Sequence, residues 1–322
     1  MIGFRNTTIK ILITLAAAAM LLWAYSSITS RSAAACPDKY GFISRDLNCD
    51  EDPHDETMNL KDSTNSVVEK NIDLKNAYDV AIYYRNLDNR QWFGINENEN
   101  FAPGSLLKLP LAMAYYKVME LDPAVMDKEF TYMNTGGDLY NIQHIDAADE
   151  LVPGKSYSVR DLIRHMLQYS DNAIVPILAG QLNQDFYNKV NVDLEVYFPK
   201  NGGLEQDFLS VKTYGKIFRT LYNASYLNQR SSNDILDILH GSTFHAGIAA
   251  GVPAGINVSN KFGERQILDT DSGKLVYVEL HDCGIIYARK SPYILCVMTK
   301  GSDYDTLSKV IAEISKTVYE NR

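Results

Sequence analysis

The stretch GSLLKLPLAMAYYKVMEL, residues 104–121, opens on a serine and a lysine three positions apart and continues as an apolar helix. Residues three apart on a helix are neighbours, so Ser105 and Lys108 can touch. A serine oxygen at the amino end of a helix is favoured as an attacking group by the positive pole there. A neutral lysine amine can take the serine proton, provided that burial and a nearby positive charge depress its pKa. Pro110 stands close enough to the helix start to remove at most one backbone bond. Alone, such a pair arises by chance in most proteins of this size, and a capped helix with an exposed lysine explains it equally well.

Two further segments stand downstream. Tyr169-Ser170-Asp171-Asn172 falls between two expected helices. Its hydroxyl could relay a proton to a leaving nitrogen, and the Asn172 amide could hold a substrate carbonyl. Its plainer reading is a helix cap, and both can hold at once. Lys261-Phe262-Gly263 lies on an expected strand. A lysine there can steer an anionic substrate and lower the pKa of a neighbouring amine, while the glycine lets substrate backbone approach. By itself it would pass for an ordinary strand lysine.

The elements around these segments set a chain order. Residues 50–75 are polar with little apolar periodicity and read as a tether. Ala77–Tyr84 and Gln91–Ile95, joined by a turn at Asp88-Asn89, read as a hairpin. Ser158 with Asp161 forms a capping box before an apolar face of Val159, Leu162, Ile163, Met166 and Leu167. A further helix begins near Ser210. Strands follow at Asn257–Arg265, Leu275–Ala288 and Tyr293–Thr299, and a final helix turns Leu307, Val310, Ile311, Ile314 and Val318 inward. This order fits an α/β (α+β) domain over residues 76–322: a mainly antiparallel sheet flanked by terminal helices, with an all-helical lobe inserted in the chain. The cleft between two lobes is the expected site.

The ordered trio of Ser105-x-x-Lys108, Ser170-Asp171-Asn172 and Lys261-Phe262-Gly263 resembles the S-x-x-K, S-D-N and K-T-G pattern of class A β-lactamases and penicillin-binding proteins. The likeness extends from about Tyr78 to Val318. It implies a two-lobe serine hydrolase in which Ser105 is acylated by a β-lactam or a peptidoglycan-type peptide, with Lys108 as proton acceptor and Ser170 as relay to the leaving group. Asn172, Lys261 and Gly263 would contact substrate, and the backbone N–H groups of Ser105 and Glu264 would form the oxyanion hole. Phe262 departs from the pattern, because a hydroxyl residue normally follows the lysine and helps to hold a substrate carboxylate. Arg265 would supply that contact or pair with a neighbouring acid. The glutamate that activates water against the acyl-enzyme is not marked by a motif. Counting forward from Ser170 reaches Glu205, whereas counting back from Ser210 favours Glu195, which with Pro199, Gly202 and Gly203 after it looks more like the family loop, although its surroundings do not reproduce that motif.

The resemblance calls for no metal and no organic cofactor, and no His spacing suggests a metal site or a Ser-His-Asp triad. His165 reads as lying on the polar side of its helix; His281, near a sheet edge, is the one histidine worth testing against substrate. Two rivals stay open: a D,D-peptidase or transpeptidase of the cell wall, and a catalytically silent module that binds cell-wall peptides.

Length and charge bound the partners. The 322 residues are 46% hydrophobic, enough for a sizeable core, and carry a net charge of −9 with no basic stripe, which argues against nucleic acid. Arg5 and Lys10 precede an uncharged apolar run, Ile11 to Ile28, that reads as an export signal or membrane anchor within residues 1–30. Cleavage near Ala33–Ala35 and lipidation of Cys36 both stay open. Everything after the run is expected outside the cytoplasm, where Cys36 and Cys49, in the tether of residues 31–75, could form a disulfide. Cys283 and Cys296, on consecutive strands, read as packed core thiols.

Overall fold

The computed structural model describes residues 55–133, 151–200, 203, 206–269 and 271–322. The apolar run, Cys36, Cys49, His144 and Glu205 lie outside the described residues.

Helix α1 (Asp55–Asp73) leads into strand β1 (Asp79–Asn86), which turns back as β2 (Trp92–Ile95). The short β3 (Asn100–Phe101) precedes a 3₁₀ turn, Gly104–Leu107, that continues directly into α2 (Lys108–Met119). The helical lobe holds β4 (Glu129–Thr131), β5 (Ser156–Ser158), α3 (Val159–Gln168), α4 (Ile174–Ala179) and α5 (Gln184–Asp193). Then come β6 (Leu209–Ser210), α6 (Val211–Tyr222) and α7 (Gln229–His240). The chain closes with β7 (Val258–Leu268), β8 (Leu275–Ile286), β9 (Tyr293–Gly301) and α8 (Tyr304–Asn321).

The five long strands pair antiparallel in the order β2-β1-β9-β8-β7, which makes β7 an edge. Alternate residues feed two cores. One face carries Ala81, Tyr83, Ile285, Ile294 and Met298 into the helical lobe. The other carries Ile82, Phe262, Leu280 and Val297 against α1 and α8. All five inward positions expected on α8 are buried, each worth roughly 1.5–3 kcal/mol by removal from water. The caps form as read: Ser158 Oγ accepts from Asp161 N–H at 3.1 Å, and Ser210 Oγ from Thr213 N–H at 3.2 Å.

Two expectations are corrected. The polar stretch read as tether is helical from Asp55 to Asp73, and α1 packs on α8 and β2. Its buried stripe runs through Thr57, Leu60, Thr64, Val68 and Asn71, so polar residues occupy inward positions and mask the periodicity. Thr57 Oγ1 meets Gln91 Oε1 at 2.7 Å, and Asn71 Nδ2 donates to Glu313 Oε2 at 3.0 Å, so these polar groups are satisfied. Cys283 and Cys296 form a disulfide instead of standing as separate thiols. The turn before Pro292 sets Ile286 opposite Tyr293, and that register carries Cys283 directly opposite Cys296.

Candidate active site

The Gly104–Leu107 turn sits over β7. A Cβ on Gly104 (φ +50°) would lie 2.6 Å from the carbonyl oxygen of Glu264, and one on Gly263 would lie 2.8 Å from that of Pro103. Both glycines are therefore required by close backbone approach, Gly104 also by its left-handed conformation. Tyr214, fully buried on α6, donates its hydroxyl to Leu106 O at 3.0 Å and pins the turn from the other side. Ser105 is held where the turn, the start of α2 and β7 converge.

Lys108 lies on the first turn of α2 with its amine inside the protein. Its Nζ is 2.8 Å from Ser105 Oγ, 3.1 Å from Ser170 Oγ and 2.6 Å from Asn172 Oδ1, and it also donates to the Ser170 carbonyl. Burial, and then the charge of Lys261, hold this amine well below the usual lysine range; Asp171 and Glu264 offset part of the effect. A neutral amine has two N–H donors and one lone pair. The Ser170 carbonyl and the Asn172 amide oxygen can only accept, so they take the donors and leave the lone pair for a serine hydroxyl. That is the arrangement a proton acceptor for Ser105 needs.

Ser170 is buried at the centre, with φ +59°, a region few non-glycine residues enter. Its hydroxyl bridges the two amines, with Lys261 Nζ at 2.9 Å. Lys261 is fully buried and also donates to Phe262 O at 2.9 Å. Burial lowers its pKa to about 7, although Asp282 and Glu264 pull it upward. Phe262 is fully buried, packs 4.7 Å from the Phe244 ring and carries Lys261 Nζ 4.2 Å from its own ring centroid. The position has joined the core that packs against α1 and α8, with its ring face under the Lys261 amine.

The sequence profile of the Beta-lactamase2 family, described as the β-lactamase enzyme family, matches residues 60–321. The chain belongs to the β-lactamase enzyme family. No curated protein matches it by sequence. Among solved structures it is similar to PBP-A, at 19% identity over 81% of this chain and 96% of that one, TM-score 0.65. It is also similar to a β-lactamase from Chitinophaga pinensis (18%, covering 81% and 98%, TM-score 0.67). A class A β-lactamase from Mycobacterium abscessus gives 19%, 80% and 97%, with TM-score 0.64.

In this family member the structure brings together Ser105, Lys108, Ser170, Asn172, Lys261 and the backbone at Gly263-Glu264, all within or directly next to the three sequence segments. Glu195 stands apart. At φ +61° beyond the end of α5 it is half exposed, and its Oε2 is 2.6 Å from Lys216 Nζ on α6. Arg265 is partly buried one residue past Glu264, in register with Glu279 on β8.

Two histidines differ from expectation. His165 is buried, with Nδ1 3.4 Å from Asp171 Oδ2 and its ring 4.6 Å from that of Tyr169. Burial alone would raise the Asp171 pKa, but hydrogen bonds from His165 and Ala173 N–H and the charges of His165 and Lys108 hold it below the usual range. His165 thus braces the Ser170 loop from within α3, at a position whose polarity suggested the solvent side. His281 faces main chain in the interior, with Nε2 3.0 Å from Ala102 O. Glu279, buried beside it, is a residue that sequence reasoning missed; its alternation with His281 on a strand was the available signal.

Proposed function

We propose that this protein is an acyl-serine hydrolase of the class A β-lactamase type, acting on β-lactams or on the D-alanyl peptides of peptidoglycan. The hydrogen-bonded cluster Ser105–Lys108–Ser170–Lys261 carries this reading. Ser105 Oγ attacks the carbonyl carbon as Lys108 Nζ accepts its proton, and the new C–O bond places charge on the carbonyl oxygen. The N–H groups of Ser105 and Glu264 receive that charge. Ser170, bonded to both amines, passes a proton to the nitrogen that leaves, and an ester on Ser105 remains. Lys261, with Asn172, steers and holds the anionic substrate. Arg265, which shares strand parity with Lys261 on β7, would replace the carboxylate contact that a hydroxyl at Phe262 would make. Support comes also from a mutant of PBP-A solved as an acyl-enzyme complex with penicillin G.

A second reading, a D,D-peptidase or transpeptidase with slow hydrolysis, is favoured by Glu195, which pairs with Lys216 and makes none of its hydrogen bonds to Ser105, Lys108 or Ser170. Intact mass followed over time after mixing with penicillin tests both. The expected result is a mass increase by one penicillin, absent in Ser105→Ala. A lasting adduct favours the second reading and rapid turnover the first; labelling that survives Ser105→Ala refutes both.

Export completes the proposal. Arg5 and Lys10 before the apolar run point to translocation, and the Cys283–Cys296 disulfide suits an oxidising compartment. A reporter fused after Arg322 should then be active only outside the cytoplasm.

A further inference from the structure

Three residues before Ser105 the chain passes through Ala102, fully buried between β3 and the turn. Both polar groups of this residue are taken by side chains. Its N–H donates to Glu279 Oε2 at 3.0 Å, and its carbonyl lies 3.0 Å from His281 Nε2. Glu279 and His281 occupy alternate positions on β8, project to the same face and are 0% and 1% exposed. The ring tautomer follows from its neighbours. Thr299 N–H, which can only donate, meets Nδ1 at 3.3 Å, so Nδ1 offers its lone pair and Nε2 carries the hydrogen given to Ala102. The same Nε2 is 3.5 Å from Glu279 Oε2, so each side chain steadies the other.

The grip extends outward. Glu279 Oε1 makes no hydrogen bond and is faced by Lys300 Nζ at 3.6 Å, which pairs with Asp207 at 2.6 Å. The residue after Asp207 is Phe208, whose N–H donates to Phe101 O at 3.1 Å, and β6 pairs with β3. The segment that delivers Ser105 is thus held on one side by backbone from β6 and on the other by two buried side chains from β8. A buried carboxylate is costly, and an apolar pair would fill this space more cheaply. What the polar pair adds is a fixed position for one stretch of main chain.

We propose that Glu279 and His281 are positioning residues for acylation of Ser105: by holding both polar groups of Ala102 they set where the Gly104–Leu107 turn places the serine oxygen against Lys108. The proposal rests on the acyl-serine reading for its kinetic consequence, though not for its structural one.

The test compares the full-length protein with Glu279→Ala and Glu279→Gln. Single-turnover reaction with a fluorescent penicillin yields separately the affinity of the first encounter and the limiting acylation rate. Hydrogen exchange of peptides spanning residues 101–108 is read in parallel. In Glu279→Ala the limiting rate should fall by about 10²-fold, the effect of a misplacement near 1 Å, with encounter affinity unchanged and exchange across 102–107 faster. Glu279→Gln keeps an acceptor for Ala102 N–H and should restore most of both. Wild-type acylation by Glu279→Ala, a Gln variant as impaired as the Ala variant, or unchanged exchange would overturn the proposal. If the unaltered protein forms no adduct, the acyl-serine reading fails by itself and the exchange comparison still decides the clamp. Should Glu279→Ala not fold, His281→Leu against His281→Gln applies the same contrast to the carbonyl of Ala102.

Discussion

Replacing Lys261 by methionine keeps most of the buried side-chain volume and removes one positive charge from beside Lys108. The two amines meet at Ser170 Oγ, 3.1 Å from Lys108 Nζ and 2.9 Å from Lys261 Nζ, so the two legs allow them to be at most 6.0 Å apart. At that separation two unit charges repel by about 3 kcal/mol at an effective dielectric constant of 20. This is a factor of roughly 10² in the fraction of Lys108 that is neutral on its acid side. The sign is fixed: Lys261 is protonated below about pH 7, its charge disfavours a second ammonium, and its loss lets Lys108 keep a proton to higher pH. The assay is the rate of Ser105 labelling by a fluorophosphonate, which lacks the carboxylate that Lys261 would bind, measured from pH 5 to 10. In Lys261→Met the acid limb should move to higher pH, with labelling near pH 6 slowed by as much as roughly 10²-fold and rates converging in alkali. Lys261→Arg, which keeps the charge, should retain the original limb. Superimposable profiles for the wild-type and Met proteins would refute the claim that this charge helps to keep Lys108 neutral.

Gly104→Ala should lower Tm by several degrees and slow labelling, because its Cβ would sit 2.6 Å from Glu264 O at φ +50°; such strain costs roughly 1–3 kcal/mol, and an unchanged melt would contradict the geometry. The Cys283→Ala/Cys296→Ala protein should lose about 3 kcal/mol by denaturant unfolding, the loop-closure value for cysteines 13 residues apart in sequence; equal midpoints would show that the bridge does not constrain the unfolded chain. Glu195→Gln should leave the lifetime of any penicillin adduct unchanged, whereas lengthening by about 10²- to 10⁴-fold would identify Glu195 as the general base after all.

The candidate cluster was legible because its spacing is local. Three positions on a helical turn join Ser105 to Lys108, and each remaining segment supplies its reactive groups within a few residues. What escaped depends on register or on polar groups turned inward. Helix α1 hides its buried stripe behind Thr57, Thr64 and Asn71, whose side chains find partners that no periodicity reveals. The disulfide depends on where a turn places two strands, since a one-residue slip would send the cysteines to opposite faces. His165 shares a helix with exposed Asp161 and Arg164, and its burial rests on tertiary neighbours, Asp171 and the Tyr169 ring, that helix periodicity does not record. Glu279 and His281 serve a peptide nearly 180 positions earlier, a relation no local pattern records.

Ser170 sits at the meeting point of both amines in a backbone conformation that costs an ordinary L-residue roughly 1–2 kcal/mol. Glycine would relax that conformation, and asparagine tolerates it better than serine, but neither carries the hydroxyl. Stability and chemistry therefore pull this position in opposite directions. In an unbiased search for more stable variants, substitutions at 170 should be enriched while activity disappears, and under selection for activity the position should refuse them. A site that is held against its own conformational preference records in its mutational tolerance which of the two demands the protein has been kept to meet.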